Sequence, residues 1–318
     1  MNVLSLFDGM SCGQIALQQL GIKADNYYAS EIDKYCIQIT QKNFPNTIQI
    51  GDVCDVKGAD LPKIDLIMGG SPCQGFSFAG KQLAFDDPRS KLFFEFVRLV
   101  KECQPKYFLL ENVRMKKEFL AIISEHLGVE PVCINSALVS AQNRVRYYWT
   151  NIPGIEQPED RNMVLKDILD NDAEEPMYSN IYGGFGEKKP REHFNKSVTI
   201  RANSGGGSIP NVKLKDFEKN LEKMTTKEGK AFALTATYNG AVAWNSIERK
   251  QRSMVPVLKD DAQKINWRKL KPTECERLQT VPDNYTEGVS NTQRYKMLGN
   301  GWTVDVIAHI LKNMELPK

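Results

Sequence analysis

Short apolar runs alternate with amphipathic stretches through the first half of the chain. Uninterrupted apolar segments at Asn2–Phe7, Tyr27–Ser30, Thr47–Ile50, Ile64–Met68, Tyr107–Val113 and Pro131–Asn135 predict strands, most of them covered on both faces. Helical spacing of apolar positions predicts helices at Gln14–Leu20, stopped by Gly21, at Lys91–Cys103 and at about Lys116–Leu127. Alternation from Arg144 to Trp149 predicts a further strand with Arg144, Arg146 and Tyr148 on one face, opposed by Val145, Tyr147 and Trp149. Strands separated by helices build a mostly parallel sheet, so the chain is of the α/β class.

The rhythm fades between about Asp160 and Lys264. Gly183-Gly184, Gly205-Gly206-Gly207, Pro190 and Pro210 break up short β-like runs such as Ser197–Arg201 and Ala231–Thr237. A smaller domain of irregular β structure is expected there, with residues 1–160 and 266–318 as the two parts of a discontinuous larger domain and 161–265 as the insertion. Regular structure resumes at Thr273–Gln279, after Pro272 at a helix start. The segment Arg294–Leu311 is expected to be a glycine-flanked turn into a helix, whose stripe Val304, Ile307, Ala308 and Leu311 must dock on a core.

With 318 residues, 41% hydrophobic and 25% charged, the chain has the make-up of a globular enzyme large enough for two domains. No apolar run is long enough to span a membrane, and the first residues form a strand pattern without a basic leader. Seven cysteines without CxxC spacing indicate reduced thiols, and three scattered histidines exclude a zinc-type ligand set, so no metal is expected. The net charge of +3 is modest. Its excess lies wholly after residue 150, where 26 basic residues face 23 acidic ones, which by itself fits a solvated surface as well as a nucleic-acid contact.

The polar residues between these elements collect at strand ends. Asp8-Gly9-Met10-Ser11-Cys12-Gly13 turns the first strand into a helix, the second strand ends in Glu31 and Asp33, and the third in Gly51-Asp52. A carboxylate at the tip of the second strand suits the ribose hydroxyls of an adenosine cofactor. GxGxxG is absent, which disfavours a pyrophosphate and a nicotinamide dinucleotide. The fourth strand stops at Gly69-Gly70-Ser71-Pro72 and presents Cys73 from a stiff turn, flanked by Gln74, Gly75 and Ser77 in place of core residues. The fifth ends in Glu111, facing the same edge. A thiol and an acid there form a candidate nucleophile and proton donor. The glycine- and charge-rich loop from Gly75 to Ser90 is a candidate lid. Arg144 and Arg146, two guanidinium groups on one face, require an anion between or beneath them.

In order along the chain, FDGMSCG (7–13), EID (31–33), GDV (51–53), SPCQGFS (71–77), ENV (111–113), QNRVR (142–146), PTECERLQTVPDNYT (272–286) and LGN (298–300) resemble the motifs of the cytosine carbon-5 DNA methyltransferases. The resemblance covers about residues 1–152 and 266–311, with some likeness to the vertebrate de novo enzymes. It implies a Rossmann-like methyltransferase domain, a target-recognition domain in the intervening segment, S-adenosyl-L-methionine as methyl donor, double-stranded DNA as substrate and a cytoplasmic place in a bacterial or phage-infected cell. A cognate restriction endonuclease remains open as a partner. Phe7, Glu31, Asp52, Pro72 and Asn300 fall at positions like the family's cofactor contacts, together with the adjoining Asp8, Gly9, Ser11, Gly13, Ile32, Val53 and Trp302. Ser11 and Cys12 stand where glycines are common, Ser71 replaces a usual proline, and Gly301-Trp302 follow Asn300 where a serine is usual.

Such chemistry needs a thiolate, because carbon 5 of cytosine is too weak a nucleophile until carbon 6 has been attacked. The resemblance makes Cys73 that thiolate, Glu111 the acid at ring nitrogen 3, Arg146 the group on the base carbonyl, and Arg144 a support for Glu111, the thiolate or a phosphate. Attack above the ring face requires the base to leave the stack. Gln74, Ser77, Gln142, Arg201 and Asn203 are the expected DNA contacts. An RNA cytosine methyltransferase on the same scaffold and an inert DNA-binding relative are the alternatives. The long segment 153–265 favours duplex reading, and retention of Cys73, Glu111 and Arg146 disfavours the inert relative.

Overall fold

A computed structural model describes residues 1–71, 91–171, 173–179, 191–197, 199, 211–214 and 267–315. The larger sheet contains β1 (Asn2–Leu6), β2 (Asn26–Ser30), β3 (Ile48–Gln49), β4 (Leu66–Gly69), β5 (Tyr107–Val113), β6 (Val132–Asn135) and β7 (Val145–Thr150). Their spatial order is β3-β2-β1-β4-β5-β7-β6. The pairs from β3 through β5 are parallel, and β7 runs antiparallel between β5 and β6. Strand order reverses direction at β1, with β2 on one side and β4 on the other, which opens a crevice at the carboxyl edge between them.

Alternate strand residues feed two cores. Val3, Leu66, Met68 and Leu109 meet Ile15, Ala16 and Leu17 of α1 (Cys12–Gln19) and Cys36 and Ile39 of α2 (Lys34–Asn43) on one face. Leu4, Leu6, Ile67 and Leu110 meet Phe93, Phe96 and Leu99 of α3 (Lys91–Cys103) and Phe119 and Ile123 of α4 (Lys117–Leu127) on the other. These strands are therefore buried on both sides, the condition for the continuous apolar runs seen in the sequence. α4 stops at Gly128, whose φ of 70° is the left-handed geometry of a helix C-cap.

Three helices close the chain: α5 (Pro272–Leu278), α6 (Asn291–Asn300) and α7 (Val304–Leu311). The last docks its apolar stripe on α1 and on the first core, as its periodicity predicts. α6 differs from expectation. The stretch read as a turn is a helix through Leu298-Gly299-Asn300, and helical geometry is left only over Gly301–Thr303. Its stability comes from Arg294, which donates to Thr286 Oγ1 at 2.8 Å and to the Glu276 carboxylate at 3.0 Å, more than from an apolar stripe. α2 was not anticipated either. It starts at Asp33, whose carboxylate accepts from Tyr35 N at 2.9 Å as an N-cap.

A second, antiparallel sheet has the order β11-β10-β8-β9, from β8 (Ala173–Ser179), β9 (Arg191–His193), β10 (Asn211–Leu214) and β11 (Trp267–Lys269). The expected β-like run at 231–237 lies outside the described residues. Ser197, from the other run, makes an isolated bridge to Gln142, just before β7. No helix among the described residues is long and apolar enough to cross a membrane.

Candidate active site

Strand register brings the predicted residues to one edge. Leu6 is level with Ser30 and with Gly69, Gly69 with Leu110, and Ala29 with Gln49. The next residues along each strand, Phe7, Glu31, Gly70 and Glu111, therefore stand side by side at that edge. Asp52 and Val53 follow two and three positions past Ile50 on the outer side, Asp52 exposed and Val53 buried.

The turn after β1 is held in an unusual backbone. Phe7, Gly9 and Ser11 have φ of 56°, 60° and 65°, left-handed values that a phenylalanine adopts only when its surroundings impose them. The surroundings are polar. Asp8 points into the fold, accepting from Ser11 Oγ at 2.6 Å and Tyr27 Oη at 2.8 Å, and Gln14 Nε2 ties Ser11 to Thr47. Burial pushes the Asp8 carboxyl up to about 6, against the opposing pull of its Ser11 and Tyr27 hydrogen bonds. Gly13 has no room for a side chain, because a Cβ would come within 2.7 Å of the Met68 sulfur.

Glu31 accepts from Gly9 N at 2.7 Å through one oxygen and from Ile32 N and Asp33 N, at 2.7 and 2.8 Å, through the other. The carboxylate thus stands at the lip of the turn, on the side where Ile32 is 74% exposed. A strained turn without a phosphate cradle, a carboxylate and an exposed aliphatic side chain fit an adenosine bearing no phosphates. Asn300 is exposed at the end of α6, and Trp302 is buried beside it.

Glu111 is buried at the end of β5 and lies opposite Tyr148 in the ladder, with Arg146 opposite Val113 on the same face. The diagonal lets Arg146 Nε approach Glu111 Oε1 to 2.9 Å, an ion contact without the alignment of a hydrogen bond. The anion beside Arg146 is therefore Glu111. Gly70 faces this pair: a Cβ there would lie 3.1 Å from Glu111 Oε2 and 3.0 Å from Trp302 Nε1. Asn112 Nδ2 makes two long bonds to Ser71, to its carbonyl at 3.4 Å and its hydroxyl at 3.3 Å, and so secures the strand end from which the cysteine loop departs.

Arg144 turns elsewhere. Its guanidinium is buried and donates to Gly301 O at 2.8 Å and Gly299 O at 3.4 Å, fastening the turn that carries Asn300 and Trp302. Burial foremost, and the neighbouring Arg146 next, pull it down to about 10, so it remains a cation at neutral pH. Gln279, wholly buried, grips the same turn through Leu298 O at 2.7 Å and Thr303 Oγ1 at 2.9 Å. Gln142 is also wholly buried, and neither amide atom has a partner among the described residues. Beside it Lys196 Nζ donates to Ala137 O at 2.9 Å, Ser140 O at 3.2 Å and Met163 O, pinning the loop that leads into Arg144.

Pro72, Cys73, Gln74, Ser77, Arg201 and Asn203, and the expected lid, lie outside the described residues. The holding roles of Gln279, Lys196, Glu276 and Tyr285 were not foreseen. Three of them belong to the stretch PTECERLQTVPDNYT, where polar residues at helical spacing with buried apolar ones were the available signal.

An open sheet with one antiparallel strand and an adenosine-type edge define a Rossmann-like, S-adenosylmethionine-dependent methyltransferase. The chain belongs to the C-5 cytosine-specific DNA methylase family, whose model matches residues 1–316, and it is a DNA cytosine-5 methyltransferase. It is similar to the type II methyltransferase M1.ScrFI of Lactococcus lactis subsp. cremoris, 31% identical over 98% of this chain and 77% of that one. It is also similar to M.HhaI of Haemophilus parahaemolyticus, 26% identical over 99% and 94% of the two chains. Among solved structures, the Entamoeba histolytica methyltransferase EhMeth aligns with TM-score 0.66 at 17% identity over 98% of this chain and 97% of its own. Dnmt2 of S. pombe aligns with TM-score 0.63 at 17% identity, with the same two coverages. At such identities these two speak for the fold.

Proposed function

We propose that Cys73 adds to carbon 6 of a cytosine flipped out of duplex DNA, with Glu111 and Arg146 holding the base and the residues around Glu31 holding the methyl donor. The observation that supports this most directly is the buried Glu111–Arg146 pair, at 2.9 Å, level with Gly70 and three residues before Cys73. Arg146 orients the Glu111 carboxyl group so that it can give a proton to ring nitrogen 3, which eases thiolate attack at carbon 6; the enamine so formed makes carbon 5 nucleophilic, and after methyl transfer loss of the carbon 5 proton to a base or water expels the Cys73 thiolate. Bound S-adenosylmethionine supplies an electrophilic methyl group. Arg144 acts on the cofactor side, keeping the Asn300–Trp302 turn in place. Gln142, whose buried amide has no partner among the described residues, is a DNA contact that gains its hydrogen bonds when the strand arrives.

Residues 1–160 and 266–318 form the catalytic domain in this reading, and 161–265 the target-recognition domain, with Gln74, Ser77, Arg201 and Asn203 on the DNA. Relatives described as type II methyltransferases, and one from a Bacillus phage described as an orphan methyltransferase, support a cytoplasmic site of action and leave a companion endonuclease as a partner to look for.

The test is transfer of labelled methyl groups to duplex DNA, followed by bisulfite sequencing to read the target. Cys73→Ala is expected to abolish transfer, and Glu111→Gln to slow it by on the order of 10²–10⁴-fold while Cys73 still engages fluorocytosine DNA weakly. Transfer retained by Cys73→Ala would falsify the assignment of the nucleophile, and methylation of RNA in preference to DNA would overturn the substrate.

A further inference from the structure

The cofactor turn is tied from a distance. Its carbonyl at Met10 accepts a hydrogen bond from the hydroxyl of Tyr285, 275 residues away in sequence, at 2.7 Å and away from solvent. Tyr285 is itself rigidly mounted. Glu276 of α5, wholly buried, accepts from Asn284 N at 2.7 Å and from Thr286 N at 2.8 Å, so one carboxylate clamps the residues on either side of the tyrosine. Asn284 has a φ of 63°, the conformation that turns the following residue inward. Asn43 Nδ2 donates to Tyr285 O at 3.0 Å, and Phe44 lies against the ring with centroids 6.4 Å apart. The phenol is a donor throughout the working pH range, because burial pushes its ionisation far above the ordinary value.

We infer that Tyr285 is a positioning residue for cofactor binding: its hydroxyl holds the Phe7–Ser11 turn in the strained conformation that the cofactor requires. Left-handed geometry at Phe7 and Ser11 is unfavourable unless neighbours impose it. The other ties to the turn, from Tyr27, Glu31 and Gln14, engage Asp8, Gly9 and Ser11 and leave the Met10 carbonyl to Tyr285. Without that hydroxyl the peptide at Met10 is free to rotate towards water, and the cofactor must restore the turn at the cost of its own affinity. The mount also gives the tie a reach. α5 begins three residues after β11 of the smaller sheet, so Glu276 and Tyr285 form a short mechanical path between that sheet and the cofactor turn.

The inference rests on the reading of this turn as the cofactor site, and the experiment separates the two. Steady-state kinetics on duplex DNA are measured for the full chain and for Tyr285→Phe and Glu31→Ala, with S-adenosylmethionine and DNA varied in turn. Tyr285→Phe keeps the ring and its packing. It is expected to raise KM for S-adenosylmethionine on the order of tenfold, with kcat and KM for DNA within about twofold of the parent. Titration of the cofactor by calorimetry should show the same loss without DNA present. An unchanged cofactor affinity in Tyr285→Phe, beside a large loss in Glu31→Ala, overturns the role of Tyr285. No loss in either variant overturns the cofactor site. A parallel loss in kcat and in both KM values marks general unfolding and also rejects the inference.

Discussion

At the scale of single residues, the site is built from buried and half-buried polar groups whose partners are mostly backbone. Glu31 spends both oxygens on amides, Arg144 its guanidinium on carbonyls, and Asp8 meets two hydroxyls. Asp8 has a consequence for stability. Its folded value of about 6 lies above the ordinary 3.8, so the unfolded chain loses this proton first as pH rises. Between about pH 4 and 6 the folded state alone keeps the proton, and stability from this group falls with rising pH, by up to about 3 kcal/mol, before levelling off. Asp8→Asn removes the titration and can still bond Tyr27 and Ser11. Urea unfolding of both forms from pH 4.5 to 8 should therefore show the variant gaining on the parent as pH rises to about 6. A difference independent of pH would rule out Asp8 as the group responsible. Residue identity alone could not reveal this, because the sequence marks Asp8 as an acid in a glycine turn without showing that its side chain points inward.

At the scale of elements, legibility followed burial. Strands covered on both faces wrote continuous apolar runs, so β1, β2, β4 and β5 and their edge residues could be located from the sequence, whereas the partner of Glu111 could not: Arg144 is the expected support, and it is Arg146 of β7 that lies 2.9 Å away. α2 and α6 bury few side chains and are held by a cap or by Arg294, which leaves no stripe to find. The departures from the family pattern in the first and last motifs were legible one by one, whereas their contact was not. Cys12 and Gly301 are neighbours: a Cβ at 301 would lie 3.3 Å from Cys12 Sγ, 2.9 Å from Met10 Cε and 3.1 Å from Met297 O. The thiol at 12 is thus one of three groups, with Met10 Cε and Met297 O, that crowd the place of a side chain at 301. Gly301→Ser should cost about 1–3 kcal/mol by overpacking. Cys12→Ala should relieve part of it, giving a coupling above about 0.5 kcal/mol in a double-mutant cycle read by chemical denaturation. Additivity within about 0.3 kcal/mol would mean that the two departures arose independently.

At the scale of the whole molecule, the core on one face of the larger sheet is completed by the far end of the chain. Val304, Val306, Ile307, Ile310 and Leu311 of α7 are all buried, in the same core as Val3 of β1 and Ile15 and Leu17 of α1. Five such side chains contribute about 1.5–3 kcal/mol each when buried. Their sum, roughly 10 kcal/mol, is comparable to the net stability of an ordinary domain, about 5–15 kcal/mol. The same segment supplies Gln279 and Tyr285 to the turns at the sheet edge, so stability and the cofactor site depend on it together. A chain ending at Thr303 keeps every strand of the larger sheet and every motif named above. It is nonetheless expected to lose cooperative thermal unfolding and calorimetric binding of S-adenosylmethionine, because β1 and α1 are left with an uncovered apolar face. Supplying residues 304–318 as a separate peptide should restore part of both, since the missing face is one helix docked through its side chains. If the truncated chain melted cooperatively within a few degrees of the full one, the core of the first half would have to be self-sufficient, and the closing helix would be an ornament of the fold and not its last structural layer.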